Sequence, residues 1–170
     1  TTNVELQEAV KEAHFISISA GANNLLKQAK IDASAGTVVI DPVAIVPTLT
    51  AIGENYAKIL ATIKALNSEA EVFVLGTYYP FPHFTNEVLK VQLMTLAETL
   101  NTTILKAVTA SGSTFVPIYD AMGGRDVEKL KKVLPNPLDI HPNAQGYKLI
   151  SGALVEALKK VVTPQPEPTT

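Results

Sequence analysis

Glu71-Val72-Phe73-Val74-Leu75-Gly76-Thr77-Tyr78 is the stretch from which the fold can be read. It is short, apolar and β-branched, and it reads as a buried strand. Before it, from Thr48 to Leu66, the apolar positions Ile52, Tyr56, Ile59, Leu60, Ile63 and Leu66 recur at spacings of three and four. That period lines one face of a helix. Beyond the Pro-rich loop Tyr79 to Phe84, Thr85 or Asn86 can cap a second long helix running from Glu87 towards Thr109. A strand set between two amphipathic helices is the repeating unit of a parallel sheet with helices on its faces.

Working outward, the same alternation continues. His14 to Ala20 reads as a buried strand closed by Gly21, and Thr114 to Tyr119 as a third strand closed by Asp120. Val4 to Ala13 places Leu6, Ala9 and Val10 on one helical face, and a short helical stretch is expected from Leu25 to Ile31. Thr37 to Ile40 could be a strand, but Asp41-Pro42 and Pro47 punctuate the segment. We read Ala35 to Pro47 as an irregular excursion. The charged stretch Arg125 to Lys132 leads into a last helix from Asn143 or Ala144 to Val162, and residues 163–170 read as a Pro-rich tail.

Composition narrows the function. The 170 residues are 46% hydrophobic and 18% charged, with a net charge of −2, which suits one packed domain and not a disordered chain. No cysteine is present, so neither a disulfide framework nor a cysteine-ligated zinc is available. His14, His83 and His141 have no metal-ligand spacing. Arg125 is the single arginine among the basic residues, so there is no arginine cluster for nucleic acid. No apolar run reaches the roughly 18–20 residues of a membrane span.

Ligand chemistry on open parallel sheets gathers at the carboxyl ends of the strands, and three segments fall there. Gly21-Ala22-Asn23-Asn24 is a turn whose asparagine caps the next helix, or one whose Asn23 amide donates to an oxyanion. His141, in Asp139-Ile140-His141-Pro142-Asn143, is an exposed histidine at a helix entry, or a general base with a carboxylate to fix its tautomer. The aromatic run Tyr78, Tyr79 and Phe81 is core packing on a Pro-stiffened loop, or an apolar wall beside a substrate.

Taken together, Gly-Ala-Asn after a buried strand and a late His-Pro-Asn opening the terminal helix resemble the GDSL or SGNH hydrolases. The Tyr78-Tyr79-Pro80-Phe81 run looks like their lipase/acylhydrolase branch, and the resemblance extends from about Val4 to Val162. It implies a flavodoxin-like three-layer α/β/α domain over residues 1–162. It also implies cleavage of a small-molecule ester by serine, histidine and aspartate, with no cofactor and no metal. Gly21 and Asn23 match the family's Gly-x-Asn-Asp block, in which the asparagine donates to the oxyanion. Asn24 stands where the family has aspartate, which costs a charge. His141 matches the histidine of the Asp-x-x-His block. Leu138 stands three positions before it and Asp139 only two, so either Asp139 orients His141 through a different local turn or a backbone carbonyl does that job.

The family's Gly-Asp-Ser-Leu block, which carries the nucleophile, and its second glycine block do not occur in these residues. None of Ser17, Ser19, Ser34, Ser68, Ser111, Ser113 and Ser151 has a Gly-Asp before it or a nucleophile elbow around it. The expectation is a C-terminal portion of such a hydrolase, starting after its first two βα units and inactive alone. Its His14–Ala20 strand would then expose an edge that takes up the missing segment or a swapped copy. The alternative is a non-catalytic binding or cell-surface module on the same fold. The tail resembles an extracytoplasmic linker, which suits a bacterial surface location. A third reading, Gly21 to Asn24 as a phosphate-cradling loop, fails the Gly-x-Gly-x-x-Gly and P-loop patterns.

Overall fold

The structure, a computed structural model, describes residues 3–32 and 37–162. The Pro-rich tail and Ser34 lie outside the described residues. The elements are α1 (Val4–Glu12), β1 (Phe15–Ile18), α2 (Ala22–Gln28), β2 (Ala29–Asp32), β3 (Thr37–Ile40) and α3 (Pro42–Leu66). After them come β4 (Glu71–Leu75), α4 (Glu87–Ser111), β5 (Thr114–Val116), α5 (Ile118–Ala121), α6 (Val127–Val133) and α7 (Ala144–Val162).

Three strands form a parallel sheet in the order β1-β4-β5, with Ser17 opposite Phe73 and Val74 opposite Phe115. Successive side chains of β4 enter different cores, as the two-residue period of a strand requires. Val74 packs with Tyr56, Leu60, Leu100 and Ile104 of α3 and α4. Phe73 packs instead with Met122, Leu130, Val133 and Ala157, contributed by the elements after β5. Helices therefore cover both faces, giving the three-layer α/β/α architecture with a parallel sheet. Among the described residues β1 is an edge strand, and Phe15 on it is half exposed.

Several segments differ from their sequence reading, each for a local reason. The helix expected over Leu25–Ile31 is displaced towards the N-terminus. It starts at Ala22, where Gly21 offers its carbonyl to the amides of Asn24 and Leu25, and it ends at Gln28. The chain then extends as β2, because Ala29–Asp32 pairs antiparallel with β3 from Ile40 back to Thr37. Thr37–Ile40 is thus a strand and not part of an irregular excursion, but it belongs to a separate two-stranded ribbon. The prolines that argued against order instead sit inside α3. Pro42 occupies its first turn, where no amide is needed, and Asp41 caps it by accepting from the Val43 amide at 2.9 Å. Pro47 is interior; the Val43 carbonyl it leaves unpaired belongs to a residue 81% exposed, so water can satisfy it.

The third strand is shorter than read. Pro117 stops it, and Ile118-Tyr119-Asp120-Ala121 make one helical turn. The charged stretch after Arg125 folds into α6 because Asp126 accepts from the Lys129 amide while Leu130 and Val133 supply a buried face. The apolar positions of α1 find no such cover: no residue of α1 is buried. That helix is held instead by Asn67, whose amide donates to the Val10 and Ala13 carbonyls at 2.9 Å each.

Candidate active site

The carboxyl ends of β1 and β4 open onto a cavity of about 240 Å³ lined by Ser19, Gly21, Asn23, Tyr78, Ile140 and His141, among others. Three segments distant in sequence meet there: the turn after β1, the loop after β4 and the approach to α7. A side chain clamps each of them.

The turn after β1 is held by Tyr56 of α3. Its hydroxyl donates to the Ala20 carbonyl at 2.9 Å and accepts from the Ala20 amide at 3.2 Å. The ring is buried, and burial pushes its phenol pKa up, so the hydroxyl remains a donor at working pH. Gly21 follows at φ +97°, a left-handed conformation that favours glycine, and a Cβ there would approach Ile52 at 3.3 Å. The chain can therefore reverse directly into α2 and bring Asn23 to the cavity.

Asn101 of α4 holds the exit of β4. Its side-chain oxygen accepts from the Thr77 amide at 2.7 Å, and its amide donates to the Thr77 carbonyl at 2.9 Å. Gly76 makes room for this pair, because a Cβ there would lie 2.5 Å from the Asn101 side-chain oxygen. The approach to α7 is tied down by Tyr78, whose hydroxyl donates to the Ile140 carbonyl at 2.8 Å. Burial, and then the nearby Tyr147 and Asp139 charges, push the Tyr78 phenol up to about 12.

His141 and Asp139 are brought together. The Asn136-Pro137-Leu138-Asp139 turn, closed by Asp139 N–H to the Asn136 carbonyl at 3.2 Å, sets the carboxylate beneath the imidazole. One carboxylate oxygen of Asp139 accepts from the His141 backbone amide at 2.9 Å and lies 2.6 Å from His141 Nδ1. The backbone bond first, and then the ring bond, hold the Asp139 carboxyl below the usual carboxylate range. An ionised acceptor requires the proton on Nδ1, which leaves the Nε2 lone pair free. Asn143 then starts α7 by accepting from the Gly146 amide at 3.0 Å, while its own amide donates to the Lys132 carbonyl. Both His141 and Asp139 are exposed, so the pair is open to a substrate.

The aromatic run divides. Tyr78 lines the cavity, whereas Tyr79 is fully buried in the core with its hydroxyl on the Phe81 carbonyl at 2.7 Å. Tyr79 is therefore not a pocket wall, because its ring points into the layer between β4 and α4–α6. Phe81 lies in a smaller apolar cavity next door. Tyr56 and Asn101 were not singled out as site residues from the sequence. The available signal was chemical: a tyrosine or asparagine on an otherwise apolar helix face must find a hydrogen-bond partner once buried.

Comparison with known proteins gives this geometry its class. The sequence profile of the GDSL-like Lipase/Acylhydrolase family matches residues 2–149, and the chain belongs to that family of ester hydrolases. Among solved structures it is similar to a lipase from a goat rumen metagenome, at 20% identity and a TM-score of 0.62, covering 92% of this chain and 69% of that one. It is also similar to an α/β hydrolase enzyme from the metagenome of Lake Arreo, Spain (14% identity, TM-score 0.60, 96% and 70% covered). A mutant acetyl-xylooligosaccharide esterase from Geobacillus stearothermophilus is a third (15% identity, TM-score 0.58, 93% and 68% covered). At these identities the likeness is one of fold. Among curated proteins none matches.

Proposed function

We propose that this chain supplies the base and oxyanion half of a serine ester hydrolase site. His141 takes the proton of a serine hydroxyl as the oxygen attacks the ester carbonyl, and later returns it to the leaving alcohol. Asp139 holds the imidazole in the tautomer with Nε2 free, and the Asn23 amide donates to the tetrahedral oxyanion. The observation that carries this reading is the Asp139–His141 pair, which restores across two residues the orientation that the family's motif achieves across three.

The nucleophile, in this reading, comes from a segment outside these 170 residues that pairs along the open edge of β1. A second reading keeps it within the chain: Ser19 lines the same cavity as His141 and Asn23. Turnover of p-nitrophenyl acetate separates the two. The 170-residue chain alone is expected to be inactive and unlabelled by a serine-directed fluorophosphonate. The longer reading frame is expected to be active, and His141→Ala to bring it near background. In that protein Asn23→Ala should lower kcat by about 10²–10³, and Asp139→Asn by up to about 10⁴ with KM little changed. Labelling of the chain alone, abolished by Ser19→Ala, would instead make Ser19 the nucleophile. An inactive longer protein would favour the binding or cell-surface module.

A further inference from the structure

The Asp139 and His141 side chains are both exposed, and a pair of exposed groups gains little over water unless its geometry is held from elsewhere. Secondary structure does not hold it. Among the described residues, Ile140, His141 and Pro142 make no backbone–backbone hydrogen bond. Two side chains act instead on one peptide unit. The Ile140 carbonyl and the His141 N–H belong to the same planar amide and point away from it in opposite directions. The Tyr78 hydroxyl donates to the carbonyl at 2.8 Å, and Asp139 Oδ1 accepts from the N–H at 2.9 Å. The same Oδ1 lies 2.6 Å from Nδ1 of the imidazole. Rotation of that one peptide would break the Tyr78 bond and withdraw the N–H from the oxygen that orients the ring.

We propose that Tyr78 is a positioning residue for the base: through the Ile140–His141 peptide it fixes the Asp139 carboxylate against Nδ1 of His141. The proposal rests on the reading of His141 as the base and gives Tyr78 a role beyond that of a pocket wall. It also accounts for the spacing, since a carboxylate two residues before the histidine has only this short peptide path to keep it in place. Tyr78 is itself well anchored. It follows Thr77, both of whose backbone groups Asn101 holds, and its ring and the Ile140 side chain pack against the core around Phe73 and Met122. That packing fixes where Ile140 sits but leaves the amide after it free to turn, and the hydroxyl removes this freedom. A donor on the carbonyl also polarises the amide, which strengthens the N–H bond to Asp139.

The test is the tautomer of His141, read in the 170-residue chain with isotope-labelled histidine by long-range proton–nitrogen correlation at a pH where the ring is neutral. His141→Gln assigns the resonances. The wild-type ring is expected to carry its proton on Nδ1. Tyr78→Phe keeps the aromatic packing and removes only the hydroxyl. It should shift the ring towards the Nε2–H tautomer and speed solvent exchange of the His141 amide about fivefold, with circular dichroism unchanged. Asp139→Ala should give the same tautomer shift, and Tyr78→Phe added to it should change the tautomer no further, because the tyrosine acts through the carboxylate. Tyr147→Phe is the control: its hydroxyl makes no hydrogen bond among the described residues, and the tautomer should not move. In the longer protein Tyr78→Phe should lower kcat for p-nitrophenyl acetate roughly tenfold with KM little changed. A tyrosine that only lined the pocket would leave both alone, since its ring is kept. A wild-type ring in the Nε2–H form, a tautomer indifferent to Tyr78→Phe, or an equal further shift on the Asp139→Ala background overturns the proposal. A tautomer that depends on Tyr78 in a longer protein without esterase activity upholds the positioning and overturns only the hydrolase reading. An active longer protein whose kcat ignores Tyr78→Phe does the reverse.

Discussion

At the scale of the residue, the site depends on side chains that hold backbone as much as on those that face substrate. Tyr56 satisfies both backbone groups of Ala20, and a buried donor or acceptor left without a partner costs about 1–3 kcal/mol. Tyr56→Phe keeps the ring and removes only the hydroxyl. It is expected to lower unfolding stability by about 1–2 kcal/mol in urea denaturation. In the longer protein it should also lower kcat for an ester more than it raises KM, because the turn carrying Asn23 loses its clamp. A purely structural tyrosine would change the denaturation midpoint and leave kcat alone.

At the scale of the element, α3 carries a correctable defect. Pro47 stands inside it, lacks an amide for the Val43 carbonyl, and lies on a solvent-facing side of the helix. Interior proline costs a helix roughly 3 kcal/mol relative to alanine, partly offset by the lower entropy proline leaves to the unfolded chain. Pro47→Ala should therefore stabilise the protein by about 1–2 kcal/mol, seen as a higher Tm by circular dichroism. A fall in Tm would mean that the first turn of α3 depends on the proline for its path out of the ribbon.

At the scale of the whole molecule, one ion pair ties the two helical layers together. Arg125, between α5 and α6, makes two bonds to the Glu98 carboxylate of α4 at 2.6 and 2.7 Å, and Tyr119 donates to the same carboxylate at 3.0 Å. The Arg125 bond, with a smaller contribution from Tyr119, holds the Glu98 carboxyl below the usual glutamate range. A folded pKa below the unfolded one gives stability that is present above the ordinary glutamate range and lost as pH falls through the depressed value. The pair is half exposed, so the effect is small and weakened by salt. Arg125→Met should flatten the acid limb of Tm against pH by slightly lowering the neutral plateau, with the values at the acid end unchanged. The open edge of β1 makes a separate prediction at this scale. Sedimentation of the 170-residue chain is expected to show concentration-dependent association, and a charged substitution on that edge, Phe15→Lys, should reduce it. A monomer at every concentration would argue against an edge that seeks a partner.

What the sequence determined by itself was whatever local chemistry dictates. Period-three and period-four runs specify α3, α4 and α7, and β-branched apolar runs specify β1, β4 and β5. The alternation of the two specifies a parallel sheet whose chemistry lies at its strand ends. Gly21, Asn23 and His141 were legible because a strand-end glycine and a helix-entry histidine are positions set by their neighbours in the chain. Tertiary structure decided the rest, because it concerned partners far apart in sequence. The ribbon exists only because Ala29–Asp32 finds Thr37–Ile40, and the order across Pro42 and Pro47 exists because α3 packs along α4. Tyr79 became core and Tyr78 a clamp, though they are adjacent, because β4 and its loop turn the two side chains to different surroundings. Asp139 reaches His141 across a spacing of two because the Asn136–Asp139 turn folds the carboxylate back onto the imidazole, and no count of residues along the chain conveys that distance.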